Sequence, residues 1–429
     1  MKYKGHRRRH RRDLQKAAAI GDRLSKLPND LLLNILERVG TLDAVRTCVL
    51  SKQMRKLPAM LSEIVIVPRD SDLVRMNGVL AQLIDKILST RSPLLTIRKL
   101  MIRFVLTPND CRSIGKSVGM AMATQILDKA EFEVVTPQNS FYCTHADFLN
   151  FGKQFSTFVA DCQDAFAGLT RLKLQNMRFG ESDIPNILST CKLLESLSFF
   201  ECDAGFRLVL HVEHARLIEI DITYGEFKTV ELDCRKLQRM RYDNWPCDEK
   251  PLVLGFVPQL SKLSLANEGL PDMTLMISQL LANAPAVRDL YLDFRSEKIW
   301  IQPECPRVLA PLLGQLQSVN LDNLPEECAI AWTMFLLQAA PSVEDLCISV
   351  RDHKCGSESQ KTRTKKTDVK WEQSGPKFKH KNLGKLTIYG FEFDGNFMRY
   401  IRRAMEAAVN IKEVSLHDRK GKGMCSGSM

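Results

Sequence analysis

None of the thirteen cysteines stands in a C-x-x-C pair, the spacing on which zinc ribbons and thiol–disulfide centres are built, so neither chemistry fits. Two short half-sites, Cys143-Thr-His145 and His353-Lys-Cys355, lack a second pair at ligand distance, and no metal is expected. No stretch reaches the roughly 18 uninterrupted apolar residues of a membrane helix. The longest apolar run, 328–340, is broken by Thr333 and Gln338. There is no His-Glu-x-x-His. Gly115-Lys116-Ser117 looks like the end of a phosphate-binding loop, but Asp110 stands where that loop needs glycine and would repel the phosphate. No catalytic residue and no cofactor are therefore expected. The start shows no secretory pattern, because its basic residues lead only to a short Ala17-Ala18-Ala19-Ile20 run before Gly21-Asp22. The thiols should then be free and mostly buried, in a reducing compartment, nuclear and/or cytoplasmic.

The folded body also lacks basic character. The net charge is +11, yet residues 1–12 alone carry +7 and residues 351–381 carry +6, so the remainder is slightly acidic. Both charged stretches are poor in large apolar residues and read as an N-terminal arm and a loop insertion. Such arms suit nuclear import; nucleic-acid binding by the body is not expected, and neither is a membrane partner.

What the sequence has in quantity is a repeated apolar pattern with spacing Leu-x-x-Leu-x-Leu. Clear copies are Ile97-x-x-Leu100-x-Ile102, Leu169-x-x-Leu172-x-Leu174, Leu263 within Leu260-x-x-Leu263-x-Leu265, and Ile411-x-x-Val414-x-Leu416. From residue 169 onward the starts are 25, 23, 20, 23, 27, 29, 27, 40 and 28 residues apart, and a degenerate copy sits at 127–132. Helical spacing precedes several copies, at 274–283, 329–339 and 396–408, so helix, turn, strand is the expected unit. One unit cannot bury its own apolar face, whereas stacking buries a shared one. The pattern resembles leucine-rich-repeat proteins over about residues 95–418, although the copies lack the asparagine that regular members place at the strand-end turn.

Ahead of the repeats, Leu27-Pro28-x-x-Leu31-Leu32, Ile35-Leu36 and Ala44-Val45-Arg46-Thr47-x-Val49-Leu50-Ser51-Lys52 suggest two short helices. Pro28 fits the first helical position, and Thr41 could cap the second helix. About 40 residues this rich in large apolar side chains cannot bury them all internally, so apolar surface should remain exposed. These motifs resemble the F-box of plant F-box/leucine-rich-repeat proteins. Two departures stand out: Val39-Gly40 where the family has Leu-Pro, and Met54 where it has tryptophan.

The resemblance implies an α/β fold with a helical F-box followed by a leucine-rich-repeat solenoid, parallel strands inside and helices outside. The expected boundaries are a disordered basic arm over 1–20, the F-box over 21–62, the solenoid over 63–351, a basic insertion over 352–381, the last repeats over 382–418 and a flexible tail over 419–429. It further implies a non-catalytic substrate-recognition subunit of an SCF-type cullin–RING ubiquitin ligase. The F-box would dock on the Skp-type adaptor through Leu27, Pro28, Leu31, Ile35, Leu36, Val45, Val49, Leu50 and Met54, and the repeats would capture a protein for ubiquitination. The paired zinc ligands of a RING are missing, so any ligase activity would be borrowed. On the period-2 rule Met101, Phe200, Tyr291 and Tyr389 fall on the outward register of the strands and are candidates for contacting that protein. The alternative is a repeat scaffold whose degenerate F-box binds no adaptor.

Overall fold

The computed structural model describes residues 27–205, 208–245, 250–268, 274–296, 299–325, 330–351 and 378–418. The basic arm, the tail and the insertion as far as residue 377 lie outside the described residues. The chain forms two compact units, residues 1–137 with 157–171, and residues 138–156 with 172–429.

In the first unit the N-terminal helices Asn29–Val39 and Thr41–Arg46 and the tight turns Thr47–Val49 and Met54–Met60 lead into the strand Glu63–Ile66. Two strands follow, Lys99–Val105 and Ala130–Val135, each reached through a long helix, Asp70–Ser89 and Pro108–Thr124. The three strands are parallel and in register, Ile64 beside Leu100 and Ile102 beside Phe132. That register keeps the motif residues in line, so Ile64, Ile66, Leu100, Ile102 and Phe132 all lose their contact with water. Each such burial stabilises by about 1.5–3 kcal/mol. A phenylalanine cluster fills the space behind the strands, with Phe104 edge-on to Phe132 at 5.3 Å and Phe158 edge-on to Phe166 at 4.9 Å. The F-box module shares a compact unit with the first repeats. The strand Glu63–Ile66 belongs to a repeat copy, Leu61-x-x-Ile64-x-Ile66, that starts inside the module.

The second unit carries ten parallel strands, one for each motif copy from Leu169 onward, beginning with Arg171–Gln175 and ending with Glu413–Asp418. Register again aligns the motif: Leu197 lies beside Ile220, Ile220 beside Met240, and Leu263 beside Leu290. An aromatic row runs behind the sheet, Phe155, Phe179, Phe199 and Phe227 following one another at 6.5, 6.0 and 6.0 Å.

The outer layer, expected to be helical, is not helical throughout. Where the copies are only 23, 20 and 23 residues apart, too little chain is left for a helix, and Val209–Glu213, Thr229–Asp233 and Leu252–Leu254 form a small parallel sheet instead. The helix expected over 274–283 is likewise reduced to Ile277–Leu280, because Leu275–Met276 pairs with Ile301–Gln302. The chain turns sharply two places after the last apolar motif residue. There Asn176, Glu201, Tyr224, Asn244 and Asn323 take left-handed backbone, with φ of 54°, 51°, 53°, 59° and 48°. Asparagine tolerates that region better than most residues. The strain, about 1–2 kcal/mol per residue, is offset because the turned N–H joins the next strand: Asn176 N donates to Phe200 O at 3.1 Å, Glu201 N to Thr223 O at 2.9 Å, and Tyr224 N to Asp243 O at 2.9 Å.

The end of the expected insertion belongs to the body. His380 is buried; its Nε2 faces Ala340 O at 3.0 Å and its Nδ1 accepts from Leu383 N at 3.0 Å. His214 is held alike, Nε2 at 3.1 Å from Cys191 O and Nδ1 accepting from Arg216 N at 3.2 Å. Both rings must be neutral with the proton on Nε2, and burial holds both pKa values below the ordinary 6.5. The folded state thus refuses a proton that the unfolded chain accepts, so this stability is whole above about pH 6.5 and is lost as pH falls below it. The melting temperature should be level between about pH 8 and about pH 7 and then decline. In a His214→Asn/His380→Asn variant the decline should be shallower; an equally steep one would contradict the assignment.

Candidate interaction surfaces

The helix Asn29–Val39 carries two apolar stripes. Leu32 and Leu36, one turn apart, point inward and pack with Ala44, Met54, Leu57 and Leu61. Leu31, Ile35 and Val39, also one turn apart, face water and are 50%, 40% and 48% exposed. A helix of a small module that buries one stripe and shows another is suited to a second neighbour. Farther along, Val49 and Leu50 are 86% and 64% exposed. Of the residues expected to meet the adaptor, Leu31, Ile35, Val49 and Leu50 are therefore on the surface with Pro28, while Leu27 and Val45 are half-buried. For Leu36 and Met54 a surface position is corrected, since both are core residues of the module and can act on its surface only by holding it in shape.

Local chemistry accounts for the shape. Pro28 stands one place before the first helical residue, not within it; its extended backbone turns the carbonyl to accept from Leu32 N at 3.1 Å. Thr41 does not cap the second helix. Its hydroxyl accepts from Val65 N at 2.8 Å and so ties the module to the first strand. Gly40 makes the bend with φ 86° and ψ 160°, a region open almost only to glycine. Proline, locked near φ of about −65°, could not make this bend. Beside the bend lies an open groove of about 360 Å³ walled by Val39, Leu42, Arg46, Val65, Val67 and Met76. Arg91, 5% exposed, closes the far side of the module: Nη1 donates to Ala59 O at 2.9 Å and Leu61 O at 2.7 Å, Nη2 to Thr96 O at 3.1 Å, and Nε to Leu95 O at 3.3 Å.

The outward face of the strands is polar and internally paired. Arg239 reaches Glu219 at 3.4 Å, Lys262 reaches Asp289 at 2.8 Å, and Lys385 reaches Glu413 at 3.2 Å. Arg295 spans the small Ala266 to grip the buried Asp243 at 2.6 Å. Against that face the candidate apolar residues differ. Tyr389 is 46% exposed and stacks on His417 at 4.5 Å. Phe200 is half-buried and edge-on to Tyr224 at 6.1 Å, and Met101 is half-buried in the first unit. Tyr291 is half-buried, and its hydroxyl donates to Asp322 Oδ2 at 2.8 Å; burial and then that bond raise its pKa. Its ring thus has a structural duty, and Tyr291→Phe should lower stability by about 1 kcal/mol. Unchanged thermal unfolding would show that water replaces the bond.

Comparison with known proteins agrees with the geometry. The family described as the At1g61320/AtMIF1 leucine-rich-repeat domain matches residues 155–429, and the F-box domain family matches residues 24–63. The chain belongs to the plant F-box/leucine-rich-repeat proteins. It is 25% identical over 349 residues to the F-box/LRR-repeat protein At3g03360 of Arabidopsis thaliana, covering 76% of this chain and 70% of that protein. It is 28% identical over 335 residues to the FBD-associated F-box protein At3g52670 of the same plant, 71% of this chain and 76% of that protein. A third relative, the Arabidopsis putative FBD-associated F-box protein At5g22720, is 26% identical over 247 residues, 53% of this chain and half of its own length.

In this member of the F-box/leucine-rich-repeat family, the residues that resemble chemical motifs have structural places. Gly115-Lys116-Ser117 lies inside the helix Pro108–Thr124, and a Cβ at Gly115 would stand 2.5 Å from Cys162 Sγ, so the glycine is there for close packing. The same residues continue as Val118-Gly119 and so also fit a Gly-x-Ser-x-Gly spacing. Such an elbow needs a strand-to-helix turn, whereas Ser117 is mid-helix and donates to Asp85 at 2.9 Å. Burial pushes the thiols of Cys111, Cys191 and Cys202 up to about 12, which keeps them protonated. Among the described residues no cluster of three or more His, Cys, Asp or Glu side chains could hold a metal, and no helix is long and apolar enough to cross a membrane.

Proposed function

We propose that this protein is the substrate-recognition subunit of an SCF-type cullin–RING ubiquitin ligase. In this reading the F-box docks on the Skp-type adaptor and the repeats hold a protein for ubiquitination. The observation that carries it is the second apolar stripe of the first helix, Leu31, Ile35 and Val39, exposed beside Val49 and Leu50. A small module gains nothing by leaving these residues in water unless a neighbour covers them. The role needs no catalytic residue in this chain, because holding a substrate beside the conjugating enzyme makes their encounter effectively intramolecular.

One observation favours the second reading, a scaffold that binds no adaptor. Gly40 gives the link between the two helices a backbone that the family's proline could not take. Size-exclusion chromatography of the purified full chain mixed with a Skp-type adaptor separates the two. Co-elution supports the receptor, and separate elution at micromolar concentration supports the scaffold.

A further inference from the structure

At the ends of three neighbouring strands of the second unit, aromatic side chains gather that packing does not require. The loop before the helix His145–Asp161 holds Phe141 and Tyr142 in a single tight turn, both 81% exposed. The turn is built, not loose: Asn139 Oδ1 accepts from Phe141 N at 3.2 Å, Cys143 Sγ donates to Asn139 O at 3.4 Å, and Asn176 Nδ2, at the first strand end, donates to Gln138 O at 3.2 Å. Next along the same ends come Phe200 and Tyr224, edge to face at 6.1 Å, with Tyr224 42% exposed. Glu201 follows Phe200 at the second strand end, and its charge reaches the Cys143 thiol beside Phe141 and Tyr142.

Backbone geometry commits these side chains to the surface. Glu201 and Tyr224 both occupy the left-handed region, at φ 51° and 53°, which a long or bulky residue enters only at a cost. Asparagine serves the same turn at positions 176 and 244. A glutamate and a tyrosine there are harder to account for by turn geometry than by what their side chains meet.

The charges indicate the occupant. The two arginines here are already committed, Arg178 to both oxygens of Asp203 and Arg295 to both oxygens of Asp243. Glu201 makes no ion pair among the described residues, whereas Glu226 is half-buried within reach of the charges of Arg178 and His145. An aromatic face is the negative end of a quadrupole and attracts cations, and free carboxylates add to that attraction. Three adjacent strands at about 4.8 Å spacing span about 10 Å, the length of about three extended residues.

We propose that this rim seats an extended, lysine- or arginine-bearing segment of the captured protein, its cation held between the rings of Phe141, Tyr142, Phe200 and Tyr224 and the carboxylate of Glu201. The proposal rests on the receptor reading, since it takes the occupant to be the protein brought for ubiquitination.

The test is fluorescence anisotropy on the purified full chain. The probe is a labelled peptide of three Arg-Pro-Leu repeats, and the control is the same peptide with glutamate for arginine. The arginine peptide should bind and the glutamate peptide should not. Phe141→Ala with Tyr142→Ala, and separately Glu201→Lys, should each weaken binding by about tenfold or more while the melting temperature is kept. Equal affinity for the two peptides, or unchanged affinity in both variants, would overturn the proposal. So would binding seen only when the arginines among residues 7–12 are replaced by serine, because the chain's own start would then be the occupant. Adaptor binding measured on the same samples keeps the two readings apart. Its failure with peptide binding intact sinks the receptor reading and supports the rim as a peptide site, and the converse sinks the rim alone.

Discussion

Replacing Leu31 and Val49 together by aspartate is expected to abolish adaptor binding while the rest of the molecule stays folded. Both side chains are large, apolar and half or more exposed, so neither contributes to the module's core. In a complex they would be the anchors that lose water, and truncating one such anchor costs about 2 kcal/mol, roughly 30-fold in affinity. A carboxylate does more than truncate, since it must be desolvated without a partner. The double variant should therefore weaken binding by about a thousandfold or more. Calorimetric titration checks the affinity and thermal unfolding checks the fold. Leu36→Asp is the contrasting case, because that side chain is 3% exposed and its loss should unfold the module outright.

The second large effect is expected at Arg91. Its guanidinium is buried without a carboxylate and instead satisfies four backbone carbonyls, Ala59 and Leu61 at the end of the F-box module and Leu95 and Thr96 beyond the helix Asp70–Ser89. Burial lowers its pKa, and the carbonyl dipoles are what keep the charge tolerable there. Arg91→Met has nearly the same reach and none of the donors, so it leaves those acceptors unpaired. The net cost should be about 3 kcal/mol, which lowers the melting temperature by on the order of 10 °C. Lysine carries its donors at one point and cannot fork; Arg91→Lys should recover only part of the loss. A melting temperature of Arg91→Met within about 1 °C of the parent would show that water takes over the role.

The strands were legible because a two-residue alternation written at near-constant spacing fits little besides stacked parallel strands, and every copy read from Ile97 onward lies on a strand. The copy at Leu61 escaped because it overlaps the end of the F-box motif, although its spacing is the same. The small outer sheet was also written in the sequence, in the short separations after Leu194, Leu217 and Leu237, but the helical spacing of the longer units masked it. Arg91, His380 and Gly115 were not legible, since the groups that make each of them necessary are brought together only by folding. Within the candidate surface, the excess of apolar residues could be read from composition. Which of Leu31, Leu32, Ile35 and Leu36 would face outward could not, because both stripes obey helical spacing equally.

Hydrogen–deuterium exchange of the full chain with and without the Skp-type adaptor tests whether the exposed stripe is the docking surface. Adaptor docking should slow exchange over residues 27–50, where the exposed stripe and Val49 and Leu50 lie, and leave exchange unchanged along the strand ends at Asn176, Glu201 and Tyr224. Protection at those strand ends with none over 27–50, or no protection anywhere at saturating adaptor, would contradict it.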